Sequence, residues 1–544
     1  MTTPNPNPGA PAPREGEASA QGATPGPAVR PAAAASASAS STSGAGPIVA
    51  PAAATSGAGR PAGPPQPPQW SWAGPNRVPR ASVLLALAIA AAVTAAALPI
   101  ERAGVGWLIG GAASIVALAV TKTRASWRQA AWALATIALL GVGTVRAADW
   151  LFVLCVLAAV VTGAFSLGDP REVRAMLAAL VLPPAAALRA LPWVRAGLRA
   201  RFAGRPGLPT RVLAVTAVSV SLLLVFGALF SSADAAFADL VDRFVPVVDD
   251  GAIARVLVLF PILFATLAGA AFILIAPPTV ERPTETTARF AFRRLDWAIP
   301  VALLDLLFLA FVAVQATVLF GGSRHVLDPG GPTFADYARG GFWQLLAVTA
   351  LTLVVLAVAG RWAPKAGRAD RATIRLLLGA LAVLALVVVA SATHRMNVYE
   401  QAYGYTRLRV FVTAVELGLG ALFVAVLVAG LKLRGAWLPR AALAIATGGL
   451  LALAILNPDR FIADRNVDRY ESTGRIDLSY LSTLSADAVP ALDRLTGDDR
   501  ACALWRIARK LDAAPDDWRS ANTARHEART LLARDPAGDC AVIR

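Results

Sequence analysis

Ionisable and aromatic side chains are concentrated between His394 and Arg409, in a stretch that separates two long apolar segments of the chain. His394 and Glu400 are residue types that exchange protons or bind metal ions, and the neighbouring arginines are residue types that bind phosphate or carboxylate groups. The stretch is therefore the first candidate for an acid/base, metal or anion site. Its candidate residues are His394, Arg395, Tyr399, Glu400, Tyr403, Arg407 and Arg409.

The histidine content argues against a metal site. The chain has only three histidines, His325, His394 and His526, and they show no paired spacing. Structural zinc sites take four protein ligands, drawn mainly from Cys and His. No phosphate-cradling glycine motif, nucleophile elbow or metalloprotease helix occurs in the sequence. We therefore expect no metal, no cofactor and no catalytic residue that only an enzyme would need.

Two carboxylates lie within apolar segments. Asp305 is about eight residues, or about 12 Å, inside one of them, and Gln315 follows ten residues later. Glu416 follows Arg409 by seven residues, so the two share a helix face and are predicted to form an ion pair, with Arg407 as the alternative partner. A carboxylate in hydrocarbon marks an ion, proton or substrate site by default. The competing interpretation is a structural hydrogen bond between helices.

The composition indicates that the bilayer is the solvent for most of the chain. Hydrophobic residues make up 56% and charged residues 16% of the 544 residues, whereas about a quarter of a soluble globular chain is charged. The mean hydropathy is +0.57. The net charge of +16 comes from short basic clusters between apolar runs, without the continuous stripe of a nucleic-acid binder. We therefore expect a lipid bilayer as partner and no nucleic acid, and the oligomeric state stays open.

Eleven apolar runs reach or approach the roughly 20 helical residues that cross about 30 Å of hydrocarbon. Barrel strands would place polar residues at every second position, and these runs do not. The sequence therefore predicts an all-α polytopic membrane protein with about 11 transmembrane helices. The second and third runs are short and rich in alanine, so they form either two spans or a hairpin that does not fully cross. The predicted spans cover residues 81–98, 105–121, 129–145, 150–168, 212–230, 254–276, 297–320, 342–360, 374–393, 410–431 and 439–456.

Basic loops set the predicted orientation. The segment before the first span and every second loop after it are rich in Lys and Arg, so the positive-inside rule places these loops and the N-terminus in the cytoplasm of a bacterial cell. The C-terminus is then outside the cytoplasmic membrane. Residues 1–78 are rich in Pro, Ala, Ser and Gly and are predicted to form a disordered cytoplasmic tail. The arginine-rich segment 171–211 is predicted to be an interfacial helix, a re-entrant hairpin or a plain basic loop.

The segment after Leu456 is charged at the level of a soluble domain. Its apolar residues recur at helical spacing, which predicts a small extracytoplasmic helical domain over 457–544, with a last helix over 516–534 that turns Trp518 inward. Its only cysteines are Cys502 and Cys540. In an oxidising exterior a bridge between them would close a loop of about 40 residues and stabilise the domain by about 3–4 kcal/mol. The predicted parts are thus the N-terminal tail 1–78, the helical bundle 79–456 and this domain.

The second half of the chain contains several specific strings of residues. They are Leu295-Asp296-Trp297, Leu304-Asp305-Leu306-Leu307-Phe308, Val314-Gln315, Leu319-Phe320-Gly321-Gly322, Tyr337-Ala338-Arg339-Gly340-Gly341-Phe342, His394-Arg395-Met396, Tyr399-Glu400-Gln401-Ala402-Tyr403-Gly404 and Thr406-Arg407-Leu408-Arg409, then Asn457-Pro458-Asp459, Asn466-Val467-Asp468-Arg469-Tyr470 and Leu484-Ser485-Ala486-Asp487-Ala488-Val489-Pro490. Over roughly 226–492 this pattern resembles the bacterial multi-pass membrane family catalogued as domain of unknown function 4173 (DUF4153/DUF4173-like). The resemblance implies a multi-pass helical membrane protein and assigns no activity.

Three classes of function stay open on the sequence. The first, which we expect, is a non-catalytic envelope component for sensing or scaffolding, whose domain over 457–544 and polar stretch over 394–409 bind an envelope protein. The second is a proton- or ion-coupled transporter that uses Asp305 and Glu416, although the internal repeat typical of transporters is not clear in the sequence. The third is a membrane enzyme that acts on a lipid-linked substrate at the outer face with Glu400, His394 and the arginines, although no clustered carboxylate or metal motif supports it.

Overall fold

The computed structural model describes residues 70–71, 78–121, 126–168, 173–202, 250–275, 279–280, 293–320 and 334–540, together with isolated positions between 215 and 237. Regular structure in these residues is helical, apart from an antiparallel pairing of two short strands, β1 (Trp70–Ser71) and β2 (Thr279–Val280). That pairing is an exception to the predicted disorder of residues 1–78. The other residues up to 77 lie outside the described part of the chain, so their disorder stays a prediction.

Eleven long helices precede the C-terminal segment in the described part of the chain. Eight of them, α3, α4 and α6 to α11, are long and apolar enough to cross a membrane, whereas α1 and α2 are apolar but have only 17 residues each. The chain is therefore a multi-pass membrane protein. The predicted span over 212–230 lies outside the described residues, apart from isolated positions. The helices are α1 (Ala81–Ala97), α2 (Val105–Thr121), α3 (Trp127–Val145), α4 (Asp149–Gly168), α5 (Val173–Phe202), α6 (Asp250–Ile275), α7 (Arg294–Phe320), α8 (Phe334–Trp362), α9 (Arg368–Tyr403), α10 (Arg407–Lys432) and α11 (Leu438–Leu456).

One end of the bundle contacts the residues after Leu456. From here on, these C-terminal residues are called the tail. The backbone N–H of Ala147, between α3 and α4, donates to Asp487 of the tail at 2.6 Å. Arg407 at the start of α10 pairs with Asp459 of the tail. We call this end of the bundle the tail end. The opposite end is called the basic end, because the described helix ends and loops there carry Arg128, Arg294, Arg361, Lys365, Arg368, Lys432, Arg434 and Arg440.

Three large apolar clusters hold the helices together. One lies among α1, α2, α5 and α6 around Leu87, and a second lies among α7, α8, α9 and α10 around Leu381 and Phe423. The third joins α3, α4, α10 and α11 to the tail around Leu151 and Ile462. Because lipid is as apolar as these side chains, close packing rather than burial from water drives helix contact inside a membrane. The third cluster differs, since it continues out of the bundle into the charged tail.

The arginine-rich segment 171–211 is a continuous helix, α5, over Val173–Phe202. Trp193 of this helix is buried among residues of α1 and α6. Gly269 of α6 approaches α5 so closely that a Cβ on it would lie 2.6 Å from the backbone nitrogen of Ala187. The interpretation of this segment as a plain loop is therefore wrong over the residues of α5, and its other residues lie outside the described part of the chain.

The tail consists of short helices around the third apolar cluster. A disulfide joins Cys502 to Cys540. The last helix begins at residue 523, later than predicted, because the side chain of Asn522 caps it by accepting the backbone N–H of Arg525 at 3.0 Å. Trp518 lies in the loop before that helix and is 58% exposed, so its predicted inward orientation is wrong. The elements are α12 (Pro458–Thr473), α13 (Leu478–Leu481), a 3-10 turn (Ala486–Ala488), α14 (Val489–Leu492), α15 (Gly497–Asp512) and α16 (Thr523–Arg534).

Candidate functional site

The stretch 394–409 forms the end of α9, a turn and the start of α10. As its residue spacing predicts, α9 continues to Tyr403, and Gly404 turns the chain with a φ of +82°. A Cβ on Gly404 would collide with Oδ1 of Asn466 in α12, and that oxygen accepts the backbone N–H of Tyr405 at 3.2 Å. Glycine is required here because a left-handed backbone meets a close neighbour. The first tail helix therefore fixes the turn between α9 and α10.

Arg407 and Asp459 form an ion pair between α10 and the tail, in which the carboxylate is fully buried and the arginine side chain is partly exposed. The guanidinium donates from Nε to Oδ1 at 2.9 Å and from Nη2 to Oδ2 at 2.5 Å. The backbone N–H of Ser485 donates to Oδ2 at 2.8 Å, and the indole N–H of Trp150 in α4 donates to Oδ1 at 3.3 Å. Burial alone would raise the pKa of Asp459, but the bonds from Arg407 and Ser485 outweigh it and hold the pKa below its usual value. Asp459 is therefore a permanently charged structural group.

Asp487 is a second buried carboxylate at the same junction. Its Oδ2 accepts the backbone N–H of Ala147 at 2.6 Å and the hydroxyl of Ser485 at 2.9 Å. Its Oδ1 has no hydrogen-bond partner among the described residues. Burial raises the pKa of Asp487 to about 6, and the charge of Asp459 adds to that rise, while the bonds from Ser485 and Ala147 and the charge of Arg146 oppose it. Asp487 is therefore the junction carboxylate that titrates closest to neutral pH.

Arg409 does not form the predicted ion pair with Glu416. Its guanidinium lies 4.3 Å from the centre of the Tyr399 ring and donates to the backbone carbonyl of Gly404. Both carboxylate oxygens of Glu416 lack a hydrogen-bond partner within the described ranges. Helical side chains point toward the helix N-terminus, so Arg409, in the first turn of α10, extends away from the carboxylate two turns deeper. The prediction from helix spacing is therefore wrong.

His394 and Glu400 lie on α9 but not as an acid/base pair. Six residues of helix turn the two side chains to different faces. His394 is exposed, whereas Glu400 is 3% exposed. In the part of the chain that the structure describes, no three His, Cys, Asp or Glu residues come together as a metal site. Tyr403 is exposed at the end of α9 and contacts Tyr399, with ring centres 5.0 Å apart and ring planes inclined by 43°.

Arg395, Gln315 and Asp305 lie along the contact between α9 and α7. Nη2 of Arg395 donates to Oε1 of Gln315, which ties the two helices together toward the tail end. Asp305 lies ten residues before Gln315 in α7, or about 15 Å deeper. Both of its carboxylate oxygens lack a hydrogen-bond partner among the described residues. A structural hydrogen bond between helices therefore explains Gln315, but it does not explain Asp305.

A groove lies where the tail meets the ends of α2 and α3, with a volume of about 610 Å³. Val105 at the start of α2 donates its N–H to the carbonyl of Ala521 at 3.1 Å, and the side chain of Asn522 donates to the carbonyl of Gly143 at 2.8 Å. These bonds fix the tail loop against the bundle. Trp518, 58% exposed, lines the groove. The other lining residues include Thr144, Asp516, Asp517, His526, Glu527 and Arg529.

The sequence reasoning did not identify the junction carboxylates as site residues. Asp459 and Asp487 lie in a charged segment in which no local spacing distinguishes them from solvated acids. One signal was available, because both lie in strings that carry the family resemblance, 457–459 and 484–490. The stretch 394–409 was identified correctly as the polar region where α9 meets α10, but its arginines are engaged in structural contacts.

One comparison with known proteins found a family that matches most of the chain. The model of a protein family described as a domain of unknown function (DUF4153) matches residues 134–495, which is more than half of the 544 residues. The match begins in α3, includes α4 to α11 and ends after α14. It therefore includes both sides of the junction between the bundle and the tail. No curated protein and no solved structure matches the chain significantly.

Proposed function

This chain belongs to the DUF4153 family, and we propose that it is a non-catalytic component of the bacterial envelope that senses or scaffolds through its tail. In this proposal the multi-pass bundle anchors the protein in the cytoplasmic membrane. The tail, over residues 457–544, binds an envelope protein. The groove at Trp518 carries the proposal, because a large exposed aromatic side chain beside an open groove is the typical anchor of a protein–protein interface.

The proposed orientation has the basic end in the cytoplasm and the tail outside. Most basic residues at the described helix ends and loops of the bundle lie at the basic end, which the positive-inside rule assigns to the cytoplasm. The disulfide between Cys502 and Cys540 supports the same orientation, since disulfides persist in oxidising compartments outside the cytoplasm. Partner binding at the tail would therefore take place on the extracytoplasmic side.

The junction supports a sensing or scaffolding role. The third apolar cluster includes Leu151 of α4 and Val410 of α10 together with Ile462 and Leu492 of the tail. The Arg407–Asp459 pair adds a charged contact at the same place. A load or partner on the tail would therefore act on α4 and α10 directly, because the tail core packs against these helices in one apolar cluster.

A point substitution in the groove tests this proposal better than removal of the tail, since removal would expose the apolar cluster of the bundle. In a strain that lacks the gene, we expect Trp518→Ala to lose complementation while the protein remains at its normal level in the membrane. Truncation of an aromatic anchor at the centre of an interface costs about 2 kcal/mol or more in binding. Membrane level and thermal stability are measured alongside the phenotype.

Trp127→Ala is the matched control. Trp127 is 77% exposed at the start of α3, at the basic end, and it is a tryptophan of similar accessibility outside the groove. We expect this variant to complement fully. Full complementation by Trp518→Ala, or equal loss in both variants, would contradict the proposed role of the groove.

A further inference from the structure

Three buried polar groups lie unsatisfied between α9 and α10. Glu416 of α10 is 1% exposed and Glu400 of α9 is 3% exposed. Both carboxylate oxygens of Glu416, Oε1 of Glu400 and the hydroxyl of Thr413 have no hydrogen-bond partner among the described residues. A buried carboxylate without a partner is very unfavourable when ionised. The three groups therefore need an explanation beyond helix packing.

Contacts between the two helices place Glu416 on the face of α10 that packs against α9. Arg409 lies over the Tyr399 ring at 4.3 Å, and Val412 packs against α9 one turn deeper. Thr413 and Glu416 continue the same face of α10 into the bundle. Glu416 therefore lies about 10 Å deeper than Arg409 by helix rise.

The surroundings of Glu416 are apolar on both sides along the helix. Val412 lies one turn above it, and a Cβ on Gly420, one turn below, would lie 3.3 Å from Val389 of α9. The charged side chains of the helices around Glu416 are engaged or distant. Arg409 donates to Gly404, and Arg395 donates to Gln315. Asp305 lies on α7, and Arg361 of α8 and Arg440 of α11 lie at the basic end. No described counter-charge therefore offsets an ionised Glu416.

We propose that Glu416 holds a proton in the resting protein and stands in the bundle as the neutral acid. The neutral acid needs no counter-ion, and its O–H group can donate a hydrogen bond, which the carboxylate cannot do. This site is independent of partner binding at Trp518.

Infrared spectroscopy of the full chain in phosphatidylcholine vesicles tests the protonation. At neutral pH we expect a carbonyl band of a protonated carboxylic acid that Glu416→Gln removes, because glutamine has the size of the neutral acid. Glu101→Gln is the matched control, since Glu101 is exposed between α1 and α2, and it should leave the band unchanged. A carbonyl band of unchanged intensity in Glu416→Gln, or no band in the wild type, would overturn the proposal.

Chemical labelling gives a second readout of the same protonation. If Glu416→Gln fails to fold, labelling of the wild type with a hydrophobic carbodiimide, which reacts with protonated carboxyl groups, decides the same question. An adduct mapped to Glu416 supports the proposal, and a labelled protein without an adduct there overturns it.

Discussion

Arg407 and Asp459 are 52 residues apart in sequence, yet two hydrogen bonds of 2.9 and 2.5 Å join them between the first turns of α10 and α12. The side chain of Asp459 has 0% exposure. A carboxylate with that burial is stable as an ion only while its partner remains. The pair therefore specifies how the tail is seated on the bundle.

Loss of the guanidinium should destabilise the protein strongly. In Arg407→Met, Asp459 stays buried without its counter-charge, which costs about 3–5 kcal/mol in comparable cases. Arg407→Met with Asp459→Leu should recover part of that loss, because neither charge is then buried alone. Unfolding of the purified protein in detergent measures both. A double variant no more stable than the single one would contradict the pairing.

Arg460, an exposed arginine next to Asp459 in α12, provides the control for this experiment. Arg460 lies 3.9 Å from Asp464, and their side chains are 47% and 41% exposed. Pairs of that kind contribute about 0–1 kcal/mol. We therefore expect Arg460→Met to unfold close to the wild type, and a loss equal to that of Arg407→Met would indicate a general effect of removing arginine.

Asp487 should make the stability of the junction depend on pH. Its pKa in the folded protein is about 6, above the ordinary value of 3.8, so the folded state binds the proton more tightly than the unfolded state. Its stabilising contribution is complete below about pH 3.8 and is lost as pH rises through about 6. The difference in unfolding free energy between the wild type and Asp487→Asn should therefore fall by about 3 kcal/mol over this range and stay constant above it. A constant difference across the range would contradict the assignment.

The disulfide should stabilise the end of the tail. Cys502 and Cys540 are separated by 38 residues, and closing a loop of that length contributes about 3–4 kcal/mol on the chain-entropy model. Reduction should lower the unfolding temperature of the wild type. A variant with Cys502→Ser and Cys540→Ser should unfold at the lower temperature with or without reductant. If reduction lowers the unfolding temperature of that variant as well, the effect comes from elsewhere.

Gly404→Ala should destabilise the turn between α9 and α10. The backbone of Gly404, with φ +82° and ψ 169°, lies in a region almost restricted to glycine and costs about 1–3 kcal/mol for a residue with a Cβ, and the Cβ would also collide with Asn466. Gly379→Ala is the matched control within α9, because a Cβ there meets no atom within 4 Å. That change should be neutral or stabilising by up to about 1 kcal/mol. Equal effects of the two substitutions would contradict the role of Gly404.

The sequence predicted the helical elements of the bundle well because apolar runs of spanning length have few alternatives in lipid. It also predicted the end of α9 at Gly404 from the spacing of the side chains before it. It failed where partners are distant in sequence. Arg409 was paired with Glu416 because both lie on one helix, and no local pattern indicates that Arg407 finds Asp459 in a different helix. Trp518 was placed inside because helical periodicity continues through residues 516–522, whereas the cap at Asn522 starts the helix later.

The most direct test of the proposed function is site-specific photocrosslinking in intact cells. A photoreactive amino acid at position 518 should give one discrete protein adduct on the extracytoplasmic side, and the same amino acid at position 127 should not give that adduct. The substitution Glu527→Ala removes a side chain that lines the groove. It should weaken the adduct at position 518 without lowering the level of the protein. Lipid adducts alone at position 518, or the same protein adduct from both positions, would contradict a partner-binding groove in the tail.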